Sequence, residues 1–476
     1  MPNIDPQTLR DLSEGIVQGV DPSIVPTNSA YLAENLEFSA NLGRAVLRDG
    51  ITQLGSQMVS EKPCLGLYEH ITTGGTEIPL AVFDDSSSTN SDLFAYSGGS
   101  WSKEQEDLTV GKDCDFETFI DTTLLVNGTD GPYASTDGTS WTSSGTDLDV
   151  GNMPNGKYVK EFHNRIYTAG VSGEPDRLYF SSTPSSGSIS WSEGDGYIDV
   201  EKEEGAGPIT GLAKVPGYLL IFKERSMKRW DTNSTHPDSL IKIGCPSQDA
   251  IVETAQSVFY FNKRGIYQTS GKYPQKISRR IQDIIDAIPS SYYSEVSGWG
   301  DGENVYFSIG DIEVDGWNLN NAVVAYSISN QTWNLYTFPQ EFKKWGTYVD
   351  GSTETMMAGD TDGNIWQVLE GSTDAGDSIN YMLQFQPQEF KRLSRVTDLG
   401  SIVVFSKNVR DGNIFWRRDG EGNFEPLGTI NESVEKINKS MRGHYFDFRI
   451  SGQGRDEVEV IGLNFPSINM NLSQDE

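Results

Sequence analysis

The amino-acid sequence predicts an all-β fold on three observations. Short runs of alternating apolar and polar residues recur between clusters of Gly, Asp, Asn and Ser from about residue 63 to residue 368, a pattern typical of antiparallel strands joined by tight turns. Tryptophans recur at regular intervals, and aromatic residues make up 11% of the chain, which supplies large side chains for an ordered core. The expected architecture is a β-propeller with an N-terminal extended arm and a C-terminal β-sandwich.

The tryptophan spacing specifies the propeller. Intervals of 40, 50 and 39 residues separate Trp101, Trp141, Trp191 and Trp230. Four-stranded propeller blades repeat at about 40 to 50 residues. A strand-like run and a polar turn precede Trp101, Trp141, Trp191 and Trp333, so each tryptophan is expected to open a return strand. The spacing predicts a propeller over residues 63–370; the alternative is that scattered tryptophans give these intervals by chance.

One segment departs from the β pattern. Isoleucines at 277, 281, 284, 285 and 288 follow helical spacing, and Pro289 comes directly after them. This pattern predicts an amphipathic helix, with Ser278 as a plausible cap, that packs its isoleucines on the side of a sheet.

The two ends of the chain differ from the middle. Residues 1–62 contain strand-like pieces without a hydrophobic face of their own, so we expect an arm that lies on another surface or closes the last blade. Residues 371–476 contain longer apolar runs, which predict a compact β-sandwich.

Charge restricts the possible partners. The chain has 37 Lys and Arg against 68 Asp and Glu, a net charge of −31. Such a protein repels polyanions, so tight binding of nucleic acid is disfavoured unless Lys and Arg are concentrated on one face. Two acidic clusters could line a channel or could simply form solvated surface. The first consists of Glu104, Glu106 and Asp107, and the second consists of Glu201, Glu203 and Glu204.

No catalytic or metal-binding pattern is visible. The three cysteines and four histidines are isolated in sequence, which excludes a disulfide framework and a zinc motif. A phosphate-binding glycine loop and a nucleophile elbow are also missing. The start of the chain does not resemble a secretion signal, and no apolar run approaches a membrane span. We therefore expect no enzyme, no cofactor, no metal site and no membrane span.

The segment with Ser135, Asp137, Gly138 and Trp141 resembles the Asp-box of sialidase-like propellers. In that family the Asp binds turn amides, the Trp packs below, and the turn is structural. Hydrolysis of a sialoside would also need an arginine cluster, and arginine is sparse in the predicted blades.

Several short sequence segments resemble segments of the tail conduit proteins of tailed bacteriophages. Those near the N-terminus are residues 19–22, 34–38 and 47–50. The others are residues 219–226, 276–288, 304–308, 323–333, 412–416, 443–450 and 458–463. The likeness is greatest to the tail hub or nozzle proteins of short-tailed phages, also called packaged-DNA stabilisation proteins. One departure is that the Arg-Pro-Gly expected after the arm is here Arg48, Asp49 and Gly50.

The resemblance implies a structural virion protein of the phage tail, assembled in the host cytoplasm. Copies would form a hexameric ring below the portal and adaptor, with tail needle or fibre proteins on the distal side. Genomic DNA would be retained and would then pass through without tight binding. Two other functions stay open: a carbohydrate-binding or sialidase-like propeller, and a receptor-binding tail component.

Overall fold

The structure is a computed structural model of the 476-residue chain. It describes all residues except 1–2, 5–6, 20–24, 27, 40–42, 72–73, 76, 192–195, 202–206, 351–352, 390–394, 456 and 473–476. The described residues form forty strands, one α-helix and three short 3-10 turns. The prediction of an all-β fold is confirmed.

Six short strands come first. They are β1 (Asn3–Ile4), β2 (Gln7–Leu9), β3 (Ala30–Glu34), β4 (Leu36–Ser39), β5 (Arg44–Leu47) and β6 (Ile51–Gln53). The next strands follow one another in small antiparallel sheets. Sheet 1 contains β7 (Cys64–Ile71), β8 (Glu77–Asp84), β9 (Asn90–Ser97) and β10 (Ser100–Thr109). Sheet 2 contains β11 (Asp115–Phe119), β12 (Thr122–Val126) and β13 (Tyr133–Ser135).

Sheets 3 to 6 have four strands each. Sheet 3 contains β14 (Tyr158–Phe162), β15 (Arg165–Ala169), β16 (Arg177–Phe180) and β17 (Tyr197–Asp199). Sheet 4 contains β18 (Ile209–Val215), β19 (Tyr218–Lys223), β20 (Met227–Trp230) and β21 (Asp238–Ile241). Sheet 5 contains β22 (Ile251–Glu253), β23 (Val258–Asn262), β24 (Gly265–Thr269) and β25 (Gln275–Lys276). Sheet 6 contains β26 (Ser297–Gly300), β27 (Asn304–Val314), β28 (Trp317–Ser327) and β29 (Trp333–Thr337).

Sheet 7 closes a ring. It contains β30 (Phe342–Asp350), β31 (Thr353–Asp360) and β32 (Ile365–Val368), and its fourth strand is β6 from the N-terminal segment. The first strand of each sheet contacts the first strand of the next, and β30 contacts β7. This cyclic order is consistent with a β-propeller of seven blades. Closure of the last sheet by β6 is one of the two roles expected for the N-terminal segment.

The remaining strands form two larger sheets. They are β33 (Ile379–Phe385), β34 (Gln388–Glu389), β35 (Arg395–Lys407), β36 (Gly412–Arg418), β37 (Glu425–Ile430), β38 (Val434–Gly443), β39 (Tyr445–Gly454) and β40 (Glu459–Leu472). Sheet A has the order β38-β35-β40-β5-β4, with β1 and β2 also paired to β40; sheet B has the order β3-β33-β39-β36-β37, with β34 paired to β39. The rings of Phe448 in sheet B and Phe465 in sheet A lie 5.3 Å apart. The N-terminal strands β1 to β5 thus belong to sheets built mainly from the C-terminal part of the chain.

The predicted helix is shorter than its isoleucine spacing indicates. A 3-10 turn at Ser278–Arg280 precedes the helix α1 (Gln282–Asp286), and another 3-10 turn covers Ser290–Tyr292. Ser278 does not cap a helix, because its hydroxyl oxygen accepts the backbone N–H of Ile266 at 3.0 Å and so ties this segment to sheet 5. The expected packing is nevertheless found for the isoleucines that are buried in the core, Ile281, Ile284, Ile285 and Ile288.

The expectation that each tryptophan opens a return strand is met by Trp101 and Trp333, whereas Trp141 and Trp191 lie outside the named strands. Trp101 and Trp333 lie at the start of the fourth strand of sheets 1 and 6. Trp141 follows β13 beside the isolated bridge of Ala134 to Thr142, and Trp191 lies between the third and fourth strands of sheet 3. Trp230 instead ends the third strand of sheet 4, so its interval of 39 residues does not reflect an equivalent position.

Candidate functional site

The inner strands of the seven-sheet ring surround a cavity on its axis. The cavity has a volume of about 420 Å³ and is lined from β7, β11, β14, β22, β26 and β30. Its lining includes charged side chains from several sheets, and these lie where the first strands of neighbouring sheets approach one another. We call it the axial cavity.

Ion pairs cross one side of the axial cavity. The Nζ atom of Lys160 lies 3.0 Å from Glu117 and 3.4 Å from Glu253. The Nζ atom of Lys214 lies 3.4 Å from Glu117 and 3.2 Å from Glu161. Burial alone would lower the pKa of Lys160, but Glu117 and Glu253 outweigh burial and hold this pKa well above its ordinary value. Both lysines are therefore charged and held by carboxylates.

A second cluster of charges surrounds Lys344 in the lining of the axial cavity. The Nζ atom of Lys344 is 2.7 Å from Asp249 and 3.0 Å from Asp113. Burial raises the pKa of Asp115 to about 7, although Lys160 and the backbone N–H of Val159 oppose the rise. The Asp115 carboxylate accepts that N–H at 2.9 Å.

Glu69 belongs to the same lining. Burial, supported by the charges of Glu77 and Glu354, raises the pKa of Glu69 to about 7, although the hydrogen bond from the backbone N–H of Val349 opposes the rise. That hydrogen bond is 2.9 Å long. Two carboxyls of the axial cavity therefore titrate near neutrality.

The size of the axial cavity limits what it can admit. A DNA duplex is about 20 Å wide, whereas this cavity of about 420 Å³ is crossed by lysine side chains paired across the first strands. A duplex cannot pass along the axis of a single chain. Any DNA channel must lie between copies of the protein.

The Asp-box-like turn lies between the third strand of sheet 2 and the bridge that follows it. The Asp137 carboxylate accepts the backbone N–H groups of Thr139 at 2.8 Å and Ser140 at 2.6 Å. The Ser135 hydroxyl accepts the N–H of Gly138 at 2.8 Å, and the Trp141 indole donates to the Gly138 carbonyl at 3.2 Å.

These contacts make the Asp-box-like turn a closed structural unit. Partial burial would raise the pKa of Asp137, but the turn amides of Ser140 and Thr139 hold it below its ordinary value. The Trp141 ring packs against the core of sheets 1 and 2. Gly138 has a φ of +75°, and a Cβ atom there would lie 3.0 Å from His70. The Asp137 carboxylate, the Ser135 hydroxyl and the Trp141 indole thus all form hydrogen bonds within the turn, as a structural turn requires.

The first acidic cluster lies at the edge of sheet 1. Glu104, Glu106 and Asp107 are on β10, the outermost strand of that sheet. Glu106 is 67% exposed and lies 3.4 Å from Lys103. Asp107 accepts a hydrogen bond from Asn90 at 2.7 Å, and Glu104 accepts one from Ser102 at 2.5 Å. The structure brings these three carboxylates together on the outer side of the ring.

In the second acidic cluster, the side chain of Glu201 is buried. The Glu201 side chain is 4% exposed, lies 2.7 Å from Lys228 and accepts the Ser226 hydroxyl at 2.8 Å. Glu201 therefore fixes neighbouring side chains and does not face a channel or solvent. Glu203 and Glu204 lie outside the described residues.

A buried junction joins the N-terminal strands to sheet 6 and to the chain after sheet 7. Arg48 donates to the Asn35 side chain at 2.8 Å, to the Asp374 carboxylate at 2.9 and 2.8 Å, and to the Thr337 carbonyl at 2.6 Å. Its guanidinium also lies 4.2 Å from the centre of the Phe338 ring. Sequence reasoning identified the phrases with Asn35 and Arg48 but had no signal for Asp374, which is 326 residues away.

The junction also explains why residue 50 is a glycine. A Cβ atom at Gly50 would lie 1.9 Å from the Thr373 carbonyl oxygen, closer than any real Cβ atom can approach. The chain therefore requires glycine where it passes over the segment that follows sheet 7.

A second contact ties sheet 6 to sheet B. Asp315, at the end of the β27–β28 hairpin, accepts two hydrogen bonds of 3.1 Å from Arg417 and one of 2.9 Å from Gln384. Arg417 also contacts Asp447 at 2.8 Å. This long hairpin fixes the ring against the larger sheets.

A polar groove of about 1000 Å³ adjoins both contacts. Its lining includes Trp317, Asn318, Asn320, Asn380 and Asn413. The Trp317 indole donates to Glu34 at 2.8 Å. An aromatic ring bordered by amides is suited to binding a polar ligand.

The chain matches no protein-family model, and no curated protein matches it. Among solved structures it is similar to YCF48 bound to D1 peptide, at 12% identity and a TM-score of 0.41, over 68% of this chain and 96% of that chain. In the described part of the chain, no helix is long and apolar enough to cross a membrane, and no group of three or more potential ligands is arranged to hold a metal.

Proposed function

We propose that the protein is a structural virion protein of a tailed phage. Copies form a hexameric ring, a nozzle or hub, in the head-to-tail conduit that retains packaged DNA and passes it during ejection. In this role the protein is not an enzyme and uses no cofactor. It lies in the virion tail between adaptor or portal-side proteins and the distal needle or fibre proteins.

The observation that carries this proposal is the buried junction around Arg48. Asn35, Arg48 and Gly50 belong to the N-terminal phrases that resemble the phage tail proteins, and the three residues meet at this junction. A free arm would not need a fully buried arginine with a carboxylate partner. The segments that resemble the phage proteins thus have a structural role in fixing the arm.

The charge distribution supports passage of DNA without tight binding. The net charge is −31, with 68 Asp and Glu against 37 Lys and Arg. Phosphates near an acidic wall are repelled over a Debye length of about 8 Å at physiological salt. A duplex in a ring of such subunits would stay mobile.

The proposal assigns a role to each region. Residues 63–370 with β6 are the propeller body, and residues 371–476 form a C-terminal β-sandwich from sheets A and B. Residues 1–62 are the arm, whose strands join both bodies. The Asp315 contact with Arg417 keeps the two bodies in one orientation.

Electron microscopy of the purified protein with a portal–adaptor complex tests this proposal. We expect a ring attached to the adaptor, with a pore wider than about 20 Å. A monomer that never joins the complex would contradict it.

The polar groove favours a second candidate, a carbohydrate-binding propeller or receptor-binding tail component. Trp317 and the neighbouring asparagines supply an aromatic face and amide hydrogen bonds of the kind that bind sugar rings. Glycan binding by the isolated protein that is lost in Trp317→Ala and kept in the remote Trp191→Ala would favour this candidate.

A further inference from the structure

A basic concavity lies on sheets 4 and 5. It has a volume of about 520 Å³ and is lined by Arg225, Lys242, Lys263 and Arg264, together with Tyr293 and other residues. The basic residues come from the turn between β19 and β20, the connection after β21 and the turn between β23 and β24. Three separate turns therefore bring four exposed cations to one place, and Glu224 is the only acidic residue among the described residues that line it.

These four cations have no acidic partner among the residues that the structure describes. Within the same sheets, Lys223 lies 2.6 Å from Asp176, and Lys228 lies 2.7 Å from Glu201. By contrast, no described Asp or Glu lies within 4.0 Å of the side-chain nitrogens of the residues that line the concavity, Arg225, Lys242, Lys263 and Arg264. Four like charges held close together repel one another, so an external anionic surface would stabilise them.

Charge is distributed unevenly around the ring. Residues 209–280, which form sheets 4 and 5 and the turn after them, contain twelve Lys and Arg but five Asp and Glu. Residues 64–149, which form sheets 1 and 2, contain sixteen Asp and Glu and two Lys. Sheet 3 separates the two regions on one side, and sheets 6 and 7 separate them on the other. One copy of the protein therefore carries complementary charges on two different sides.

The acidic side is open to contact at β10. This strand is the outer edge of sheet 1, and Glu104, Glu106 and Asp107 lie on it. Charged side chains on an edge strand oppose the direct pairing of strands between molecules, so contact through this edge must be made by side chains. A basic concavity supplies side chains of the required sign.

We infer that the basic concavity of one copy docks against the acidic β10 edge of a second copy. The two surfaces differ, so the contact is heterologous, and repetition of a heterologous contact produces a ring when its rotation closes. This inference rests on the proposed ring function and names the surfaces that build the ring. Electrostatic complementarity also fixes orientation and suppresses wrong pairings.

Charge reversal on the basic side tests the inference. In Lys263→Glu/Arg264→Glu two cations of the concavity become anions that face the acidic edge. We expect self-association, measured by analytical ultracentrifugation at low salt, to weaken by at least about tenfold. The matched control is Lys436→Glu/Arg442→Glu on β38, which makes the same charge change at exposed positions of sheet A, outside the seven-sheet ring.

A charge-swap mixture separates a lost contact from a misfolded variant. The variant Glu104→Lys/Glu106→Lys should also fail to associate with itself. Mixed with Lys263→Glu/Arg264→Glu, it should restore association, because each variant surface then meets the opposite charge. Restored association in the mixture, with neither variant assembling alone, is the expected result.

Three outcomes would overturn the inference. If both charge-reversed variants associate as strongly as the wild type, other surfaces build the ring, and the ring itself is not contradicted. Association lost equally in the β38 control would show a general effect of charge. Salt-sensitive binding of a DNA duplex to the wild type, lost in Lys263→Glu/Arg264→Glu, would show that the concavity binds phosphates instead. A wild type that stays monomeric even with the portal–adaptor complex would instead contradict the proposed function.

Discussion

Arg48 and Asp374 form a buried ion pair with two parallel hydrogen bonds of 2.9 and 2.8 Å. The Arg48 side chain is fully buried and the Asp374 side chain is 8% exposed. A carboxylate facing a guanidinium in this way combines strength with fixed orientation. The pair thereby sets how the N-terminal segment meets the chain that follows sheet 7.

Loss of the Asp374 charge should destabilise the protein strongly. Asp374→Asn leaves the Arg48 guanidinium buried without a counter-charge, and breaking a buried pair in this way costs about 3–5 kcal/mol. The measurement is the free energy of unfolding by urea. The control is Glu14→Gln, which breaks the more exposed pair with Arg280 and should cost about 0–1 kcal/mol. Similar losses in the two variants would contradict a structural role for the junction.

Stability should depend on pH through Asp115. Burial raises the pKa of Asp115 to about 7, above the value of about 3.9 in an unfolded chain. The folded state thus keeps a proton that the unfolded state loses, so this group makes the free energy of unfolding fall as pH rises from about 4 to 7. Asp115→Asn should reduce that slope by up to about 1.4 kcal/mol per pH unit.

Thermal or urea unfolding at several pH values measures this effect. Asp121→Asn is the matched control, since Asp121 is exposed in the turn between β11 and β12, and its slope should equal that of the wild type. Identical slopes for Asp115→Asn and the wild type would show that Asp115 is not held protonated in the axial cavity.

Two tryptophans that follow the same sequence pattern should differ in their contribution. The Trp333 ring is 1% exposed in the core, so Trp333→Ala should lower the free energy of unfolding by about 3–5 kcal/mol. Trp141 is only partly buried beside the core of sheets 1 and 2, so Trp141→Ala should cost less. A larger loss for Trp141→Ala would contradict this order.

Gly50 should not tolerate a side chain. Gly50→Ala would place a Cβ atom 1.9 Å from the Thr373 carbonyl oxygen, so the backbone at the junction must move and stability must fall. Gly131→Ala is the control, because nothing lies within 4 Å of a Cβ atom there. Differential scanning calorimetry of both variants compares them, and equal melting temperatures would contradict the close approach.

The sequence predicted local features better than distant pairings. Alternating runs and turn clusters located strands such as Tyr218–Lys223 and Val258–Asn262, because strand periodicity and turn chemistry are local. Helical spacing of isoleucines was misleading around Ser278, because a hydrogen bond to Ile266 in another strand competes with helix capping. Spacing alone contains no information on such a partner.

Charge clusters were also only partly predictable. Glu104, Glu106 and Asp107 do lie together on β10, since residues close in an edge strand stay close in the fold. Glu201 also lies in an acidic stretch of the sequence, but its side chain is buried and contacts Lys228 and Ser226. The axial cavity and the basic concavity are each lined by residues from several sheets. They could not be predicted, because no single segment of the sequence shows the order of the sheets around the ring.

The most direct test is a cryo-electron microscopy reconstruction of the purified protein assembled on a portal–adaptor complex, paired with DNA binding at low salt. The proposed function predicts a ring with a pore wide enough for a duplex of about 20 Å, a lumen with excess Asp and Glu, and negligible affinity for DNA. A lumen lined by Lys and Arg, or tight salt-sensitive DNA binding by the ring, would contradict a conduit that lets DNA slide.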